Sequence, residues 1–120
     1  MKPRAWTQKE VQEKFLHHCW TMVKYWAEDA RTPSTNDKLE GLMHSFLALL
    51  DGMCVGMPAY EVIPSPHSDD KDFHIEQGEN YYKPFRLPKG AITVHGSDIL
   101  NDIMHDFGRK HGFLPLLEKS

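Results

Sequence analysis

A mainly α fold is predicted, with α+β as the alternative, and three features of the sequence predict it. Apolar residues recur at three- and four-residue intervals over residues 7–30 and again over residues 35–54, the spacing that gathers them on one face of a helix. Helix-capping residues stand where each of these stretches begins. A shorter periodic stretch, residues 98–111, follows a middle region that holds Pro58, Pro64, Pro66, Pro84 and Pro88. The predicted architecture is a helical hairpin, an irregular segment over residues 57–96 with short strands, and a C-terminal helix. A chain of 120 residues builds this as a single domain able to bury a core without metal or disulfide support.

The first helix opens on Thr7-Gln8-Lys9-Glu10, a capping box in which the threonine oxygen and the glutamate carboxylate satisfy free amides at the helix start. Trp6 and Val11 are spaced for a hydrophobic staple across that cap. Val11, Phe15, Cys19, Met22 and Trp26 trace one face, and Leu16, Trp20 and Val23 widen it. So broad a stripe predicts burial against more than one neighbour, another subunit among the candidates.

Residues 29–36 form a polar linker containing Pro33, and Ser34 stands three residues before Asp37 as the cap of the second helix. That helix carries Leu39, Leu42, Met43, Phe46, Leu47, Leu49, Leu50 and Met53. Asp51-Gly52 and Gly56-Met57-Pro58 end it, since glycine accepts left-handed backbone angles and proline cannot continue a helix. In the middle region, residues 60–63 and 91–94 are strand candidates for a two-stranded ribbon. Tyr81, Tyr82 and Phe85 supply its apolar anchors. Ser97 or Asp98 is the expected cap of the last helix, which would bury Ile99, Leu100, Ile103, Met104 and Phe107.

Composition removes several function classes. Fourteen basic against seventeen acidic residues give a formal charge of −3, so nucleic acid is not an expected partner. The basic groupings at Lys2/Arg4 and Arg109/Lys110/His111 read as solvated ends. The longest apolar run, residues 46–50, is far below the roughly 20 residues needed to cross a bilayer, so no membrane partner is expected. No apolar segment follows the positive start, and Cys19 and Cys54 both sit inside apolar patterns. A cytoplasmic protein with reduced, buried thiols is therefore expected.

Two constellations could carry chemistry. His67, Asp69, Asp70, Asp72 and His74 lie within eight residues, and imidazole with carboxylate suits a divalent ion. His67, Asp69, Asp70 and His74 would be the ligands, in a small metal-dependent hydrolase. The spacing matches neither a calcium loop nor a helical HExxH pair, and aspartates of this kind commonly bond nearby turn amides. Asp98, Asp102 and His105, at spacings of four and three, would share one helix face and could exchange protons; ion pairing on a helix surface is the simpler account. His17 and His18 point about 100° apart around their helix, and His44 borders the apolar stripe as a hydrogen-bonded boundary residue. No nucleophile elbow, phosphate-binding loop or electropositive cysteine stands out. No catalytic residue and no cofactor are assigned.

One resemblance gives these residues a setting. The phrase Glu40-Gly41-Leu42, Ser45, Leu47, Leu50-Asp51-Gly52 is followed by Met57-Pro58-Ala59-Tyr60. Then come Pro64-Ser65-Pro66-His67 with Asp70, Gly78-Glu79-Asn80-Tyr81-Tyr82, and Asp98-Ile99 with Met104-His105-Asp106. This ordered set, spanning about residues 15–110, resembles a family of small bacteriophage- and prophage-encoded proteins without an established activity. The resemblance implies a bacterial host cytoplasm and transfers no site residue. The expectation is a non-enzymatic accessory protein, a homo-oligomer, that binds a host protein or a small molecule, as an antagonist of host defence. The metal-dependent hydrolase is the first alternative and a nucleic-acid-binding regulator the second.

Overall fold

The structure, a computed structural model, describes residues 3–115; Lys2, one of the predicted basic end residues, lies outside them. Four helices are present among the described residues: α1 (Gln8–Glu28), α2 (Thr35–Leu50), α3 (Asp70–Glu76) and α4 (Leu100–Lys110). The fold is mainly α. The described residues contain no strand, so residues 60–63 and 91–94 do not form the predicted ribbon. Each stretch carries only one short apolar run, and strand pairing requires a partner ladder to satisfy its backbone groups. The chain divides into two compact units: the described residues up to Ala59 together with those from Ile92 onward, and Tyr60–Ala91.

In the first unit α1 packs on both α2 and α4, as its broad apolar stripe requires. The capping box forms: Glu10 N–H donates to Thr7 Oγ1 at 3.2 Å, and Thr7 N–H to Glu10 Oε1 at 3.0 Å. Arg4 grips the same carboxylate with two bonds of 2.7 and 2.9 Å. Trp6 remains exposed and carries the Lys14 ammonium 4.7 Å from its ring centroid.

Two tryptophans on α1 fix its neighbours. The Trp26 ring lies on Gly41 of α2, so closely that a Cβ there would fall 2.5 Å from the ring. Trp26 Nε1–H donates to Ser45 Oγ at 3.0 Å. The Trp20 ring lies on Gly108 of α4 in the same way, with a hypothetical Cβ again at 2.5 Å, and its Nε1–H donates to the Met104 carbonyl at 2.9 Å. Each indole thus buries its ring against bare backbone and still satisfies its one donor. Phe15, Leu16, Trp20, Met22 and Leu49 form the buried apolar core. Phe15 meets Phe46 edge-on at 6.2 Å. Since Trp26 meets residues 41 and 45 while Phe15 meets residue 46, the hairpin is antiparallel.

Polar side chains complete this unit. Gln12 is 1% exposed, and its Nε2 donates to the His95 carbonyl (3.1 Å) and to Asp98 Oδ2 (3.0 Å). Gln8 Nε2 donates to the Thr93 carbonyl at 3.1 Å. These bonds hold the loop before α4 against α1. At the far end Lys38 of α2 donates to the Trp26, Ala27 and Asp29 carbonyls at 3.0, 3.3 and 2.9 Å. A cation placed there satisfies orphan carbonyls at the end of α1, where the helix dipole is negative; α1 itself has no basic residue in its last turn.

Helix α2 begins as predicted, with Asp37 N–H donating to Ser34 Oγ, but ends at Leu50, short of residue 54. Met53 N–H donates to the Ala48 carbonyl (3.0 Å) and Gly52 N–H to the Leu49 carbonyl (3.2 Å). This paired closure requires a left-handed residue, and Gly52 takes φ 78°. The same pair closes α4, from Phe113 to Gly108 and from Gly112 to Arg109. Helix α4 starts at Leu100, and neither Ser97 nor Asp98 caps it: the N-cap is Ile99, with no side-chain cap bond. The Asp98 carboxylate is instead occupied by buried Gln12, a donor that would cost more to leave unpaired than a helix amide open to water.

In the second unit, α3 lies where the sequence predicted irregular chain. Asp70 and Asp72 stand in its first turn, negative charges that suit the helix dipole, and His74 stands in its last. Tyr81, Tyr82 and Phe85 are exposed, and the Lys71 ammonium lies 5.2 Å from the Tyr81 ring centroid.

Gly108→Ala should destabilise the protein by about 1–3 kcal/mol, because overpacking against Trp20 outweighs a helix-propensity gain of about 1 kcal/mol. Urea unfolding measures this, and Trp20→Phe in the same chain should shrink the difference. The Glu10 carboxyl is held down from 4.5 to about 2, first by the Arg4 hydrogen bonds and then by Thr7 N–H. A depressed acid stabilises the fold above its unfolded value, so this contribution should be full above pH 4.5 and vanish as pH falls through about 2. Amide exchange of residues 8–11 across that window should show fraying that Glu10→Gln already shows at neutral pH.

Candidate functional site

The acidic segment of the second unit brings its predicted residues close, but mostly into bonds with its own turn. His67 N–H donates to Asp70 Oδ2 at 2.9 Å, and Asp69 N–H donates to His67 Nδ1 at 3.2 Å. His67 Nδ1 therefore acts as an acceptor from backbone, and the Asp69 carboxylate stands 3.6 Å from it, beyond hydrogen-bond length. His74 Nδ1 is buried without a hydrogen-bond partner, with Glu79 Oε1 at 3.7 Å. Asp72 is exposed in the first turn of α3. Among the described residues no three histidine, cysteine, aspartate or glutamate side chains form a group that could hold a metal ion. The set His67, Asp69, Asp70 and His74 does not converge, because two of its members serve as turn and helix-start acceptors.

The second predicted cluster is broken by the position of the helix start. Asp98 precedes α4 and is bonded to Gln12, whereas Asp102 and His105 lie on α4 and are exposed. The three do not share a helix face. Among the cysteines, burial pushes the Cys19 thiol up to about 11, which removes it as a nucleophile near neutral pH.

Two clefts lie in the first unit, and neither was predicted. One, of about 320 Å³, is bordered by Glu13, Lys14, His17 and His18 of α1, Phe107 of α4, Met57 and His111. The His111 ring stacks on Phe107 at 4.1 Å, and His17 stands edge-on to Phe113 at 5.1 Å and to His111 at 6.4 Å. Adjacent His17 and His18 thus both border one cleft. They were legible in the sequence, but His111 is 94 positions away from His17 along the chain, and only the packing of α4 on α1 joins them.

The other cleft lies on the exposed side of the hairpin, lined by Trp26, Asp37, Glu40, Gly41, Met43, His44 and Leu47. It belongs to a ridge of apolar side chains that α2 leaves uncovered: Leu39 is 60% exposed, Met43 57% and Leu47 51%. At spacings of four they form one row along the helix. The sequence grouped these residues with Leu49 as the apolar positions of the helix. In the structure Leu49 is the one buried residue of α2, since α1 covers the face that carries Leu49, Gly41 and Ser45. His44, expected as a hydrogen-bonded boundary residue, is exposed and borders the cleft.

Comparison with protein-family models, with curated proteins and with solved structures gave no match. No described helix is long and apolar enough to cross a membrane.

In a Cys54→Ser background, alkylation of Cys19 at mildly alkaline pH should run about a hundredfold slower in the folded protein than in urea, following its thiolate fraction. Mass-resolved labelling over time checks this.

Proposed function

We propose that this protein is a non-enzymatic binding protein, a phage or prophage accessory protein that engages a host protein through the uncovered face of α2. The observation that supports this reading is the row of Leu39, Met43 and Leu47, each more than half exposed beside the Trp26 cleft. A monomeric soluble domain rarely leaves a contiguous apolar row of this kind uncovered unless something binds there. Two of the polar groups that the sequence offered for chemistry, and the Cys19 thiol, support the same reading. Asp98 and Asp70 are engaged in structural hydrogen bonds, and the Cys19 thiol is held protonated.

A second reading, binding of a small ligand, draws on the cleft of about 320 Å³ bordered by Glu13, Lys14, His17, His18 and His111. That size falls at the small end of ligand pockets, which run from about 300 to 1,000 Å³.

Purification from bacterial cells by affinity tag, followed by native mass spectrometry, tests both. The wild-type chain should retain a host protein at a fixed ratio. Met43→Glu with Leu47→Glu should abolish that retention, and His17→Ala with His111→Ala should leave it intact. A bare chain would overturn the protein-binding reading, and a small-molecule adduct lost in the histidine variant would establish the second.

A further inference from the structure

The α2 face has a charge pattern that selects among protein partners. Its apolar row runs from Leu39 through Met43 to Leu47, roughly 12 Å along the helix. Asp37 and Glu40 border the cleft beside that row, and Asp51 stands at its C-terminal end. Among the described residues no lysine or arginine lines the cleft. The one lysine of α2, Lys38, points its ammonium at the Trp26, Ala27 and Asp29 carbonyls at the end of α1. Its charge is committed within the hairpin. The face is therefore apolar along its centre and anionic along its border, with methionine and the Trp26 indole in its floor. Methionine adapts to differently shaped apolar groups, and an indole favours a cation near its ring.

We infer that this face binds a basic amphipathic helix, whose apolar side chains lie along Leu39, Met43 and Leu47 and whose lysines or arginines reach Asp37 and Glu40. The inference rests on the protein-binding reading and narrows it to a partner chemistry. Pairing of α2 with α2 of a second copy satisfies the apolar row but offers Asp37 and Glu40 no lysine or arginine, since Lys38 of α2 is committed to the end of α1. Like charges at an interface border cost affinity and opposite charges give it specificity and a faster on-rate. A helix with basic flanks supplies both halves of the match, in the helix-in-groove mode.

The test uses the full chain and a labelled synthetic helix of about 18 residues made of leucine and lysine, with leucines at three- and four-residue spacing. Its counterpart carries glutamate in place of lysine. Fluorescence anisotropy should show binding of the lysine peptide, weakening as salt rises, and no binding of the glutamate peptide. Glu40→Lys, and separately Asp37→Asn with Glu40→Gln, should weaken the lysine peptide about tenfold or more. Asp106→Lys, a reversal on α4, should change it less than about twofold. Circular dichroism confirms that each variant folds. Equal binding of both peptides, equal loss in the Asp106→Lys variant, or no binding of the lysine peptide would overturn the inference. So would a dimer in size-exclusion chromatography that Met43→Glu dissociates, since a second copy would then occupy the face. If the lysine peptide fails while retention of a host protein still depends on Met43 and Leu47, the basic-partner inference falls and the protein-binding reading stands. If both fail, both fall.

Discussion

Two indole rings seated on two glycines hold the first unit together. Trp26 on Gly41 and Trp20 on Gly108 bring α2 and α4 onto different faces of α1 at a separation that no side chain at either glycine would permit. The absence of a Cβ lets each ring lie on backbone, and each ring N–H finds an acceptor on the same helix it covers, Ser45 Oγ or the Met104 carbonyl. Burial and hydrogen bonding are thus satisfied by one rotamer in each case. The seat on Gly41 also brings the start of α2 close to the end of α1, within reach of Lys38.

Much of the polar chemistry in this chain is engaged in closing that frame. Gln12 is fully buried and would be costly there without partners; the loop before α4 supplies the His95 carbonyl and the Asp98 carboxylate. Lys38 satisfies three carbonyls that α1 cannot satisfy from its own sequence. Asp98 and Asp70, which looked catalytic by type, act as structural acceptors, and the apolar row of α2 is surface that the frame does not cover.

The exposed row on α2 follows from the same geometry. A helix whose apolar residues extend around more than one face can bury only part of them against one neighbour. Gly41, Ser45 and Leu49 turn toward α1, so Leu39, Met43 and Leu47 turn away from it. The Trp26 ring contributes to the core on its glycine-facing side and to the floor of the cleft. Core and candidate site are therefore built from one side chain, and the site's apolar floor is fixed as firmly as the hairpin itself.

The sequence by itself determined the helices of the first unit and most of their ends. Periodicity marks α1, α2 and α4; the Thr7/Glu10 box and Ser34 mark two starts; Gly52 and Gly112 mark two stops. Each of these signals is local, acting within one helical turn, so it can be read from neighbouring residues. What only the tertiary structure decided depends on contacts between distant residues. Asp98 became a partner of Gln12 instead of a cap, and His111 joined His17 and His18. Acidic residues that read as loop or metal ligands started α3, where the helix dipole and the His67 amide give them a role. Above all, apolar spacing shows that α2 has an apolar surface but not which part is covered. Periodicity fixes angles around one helix axis, whereas burial depends on where the neighbouring helix lies, and the glycine seat under Trp26 sets that position.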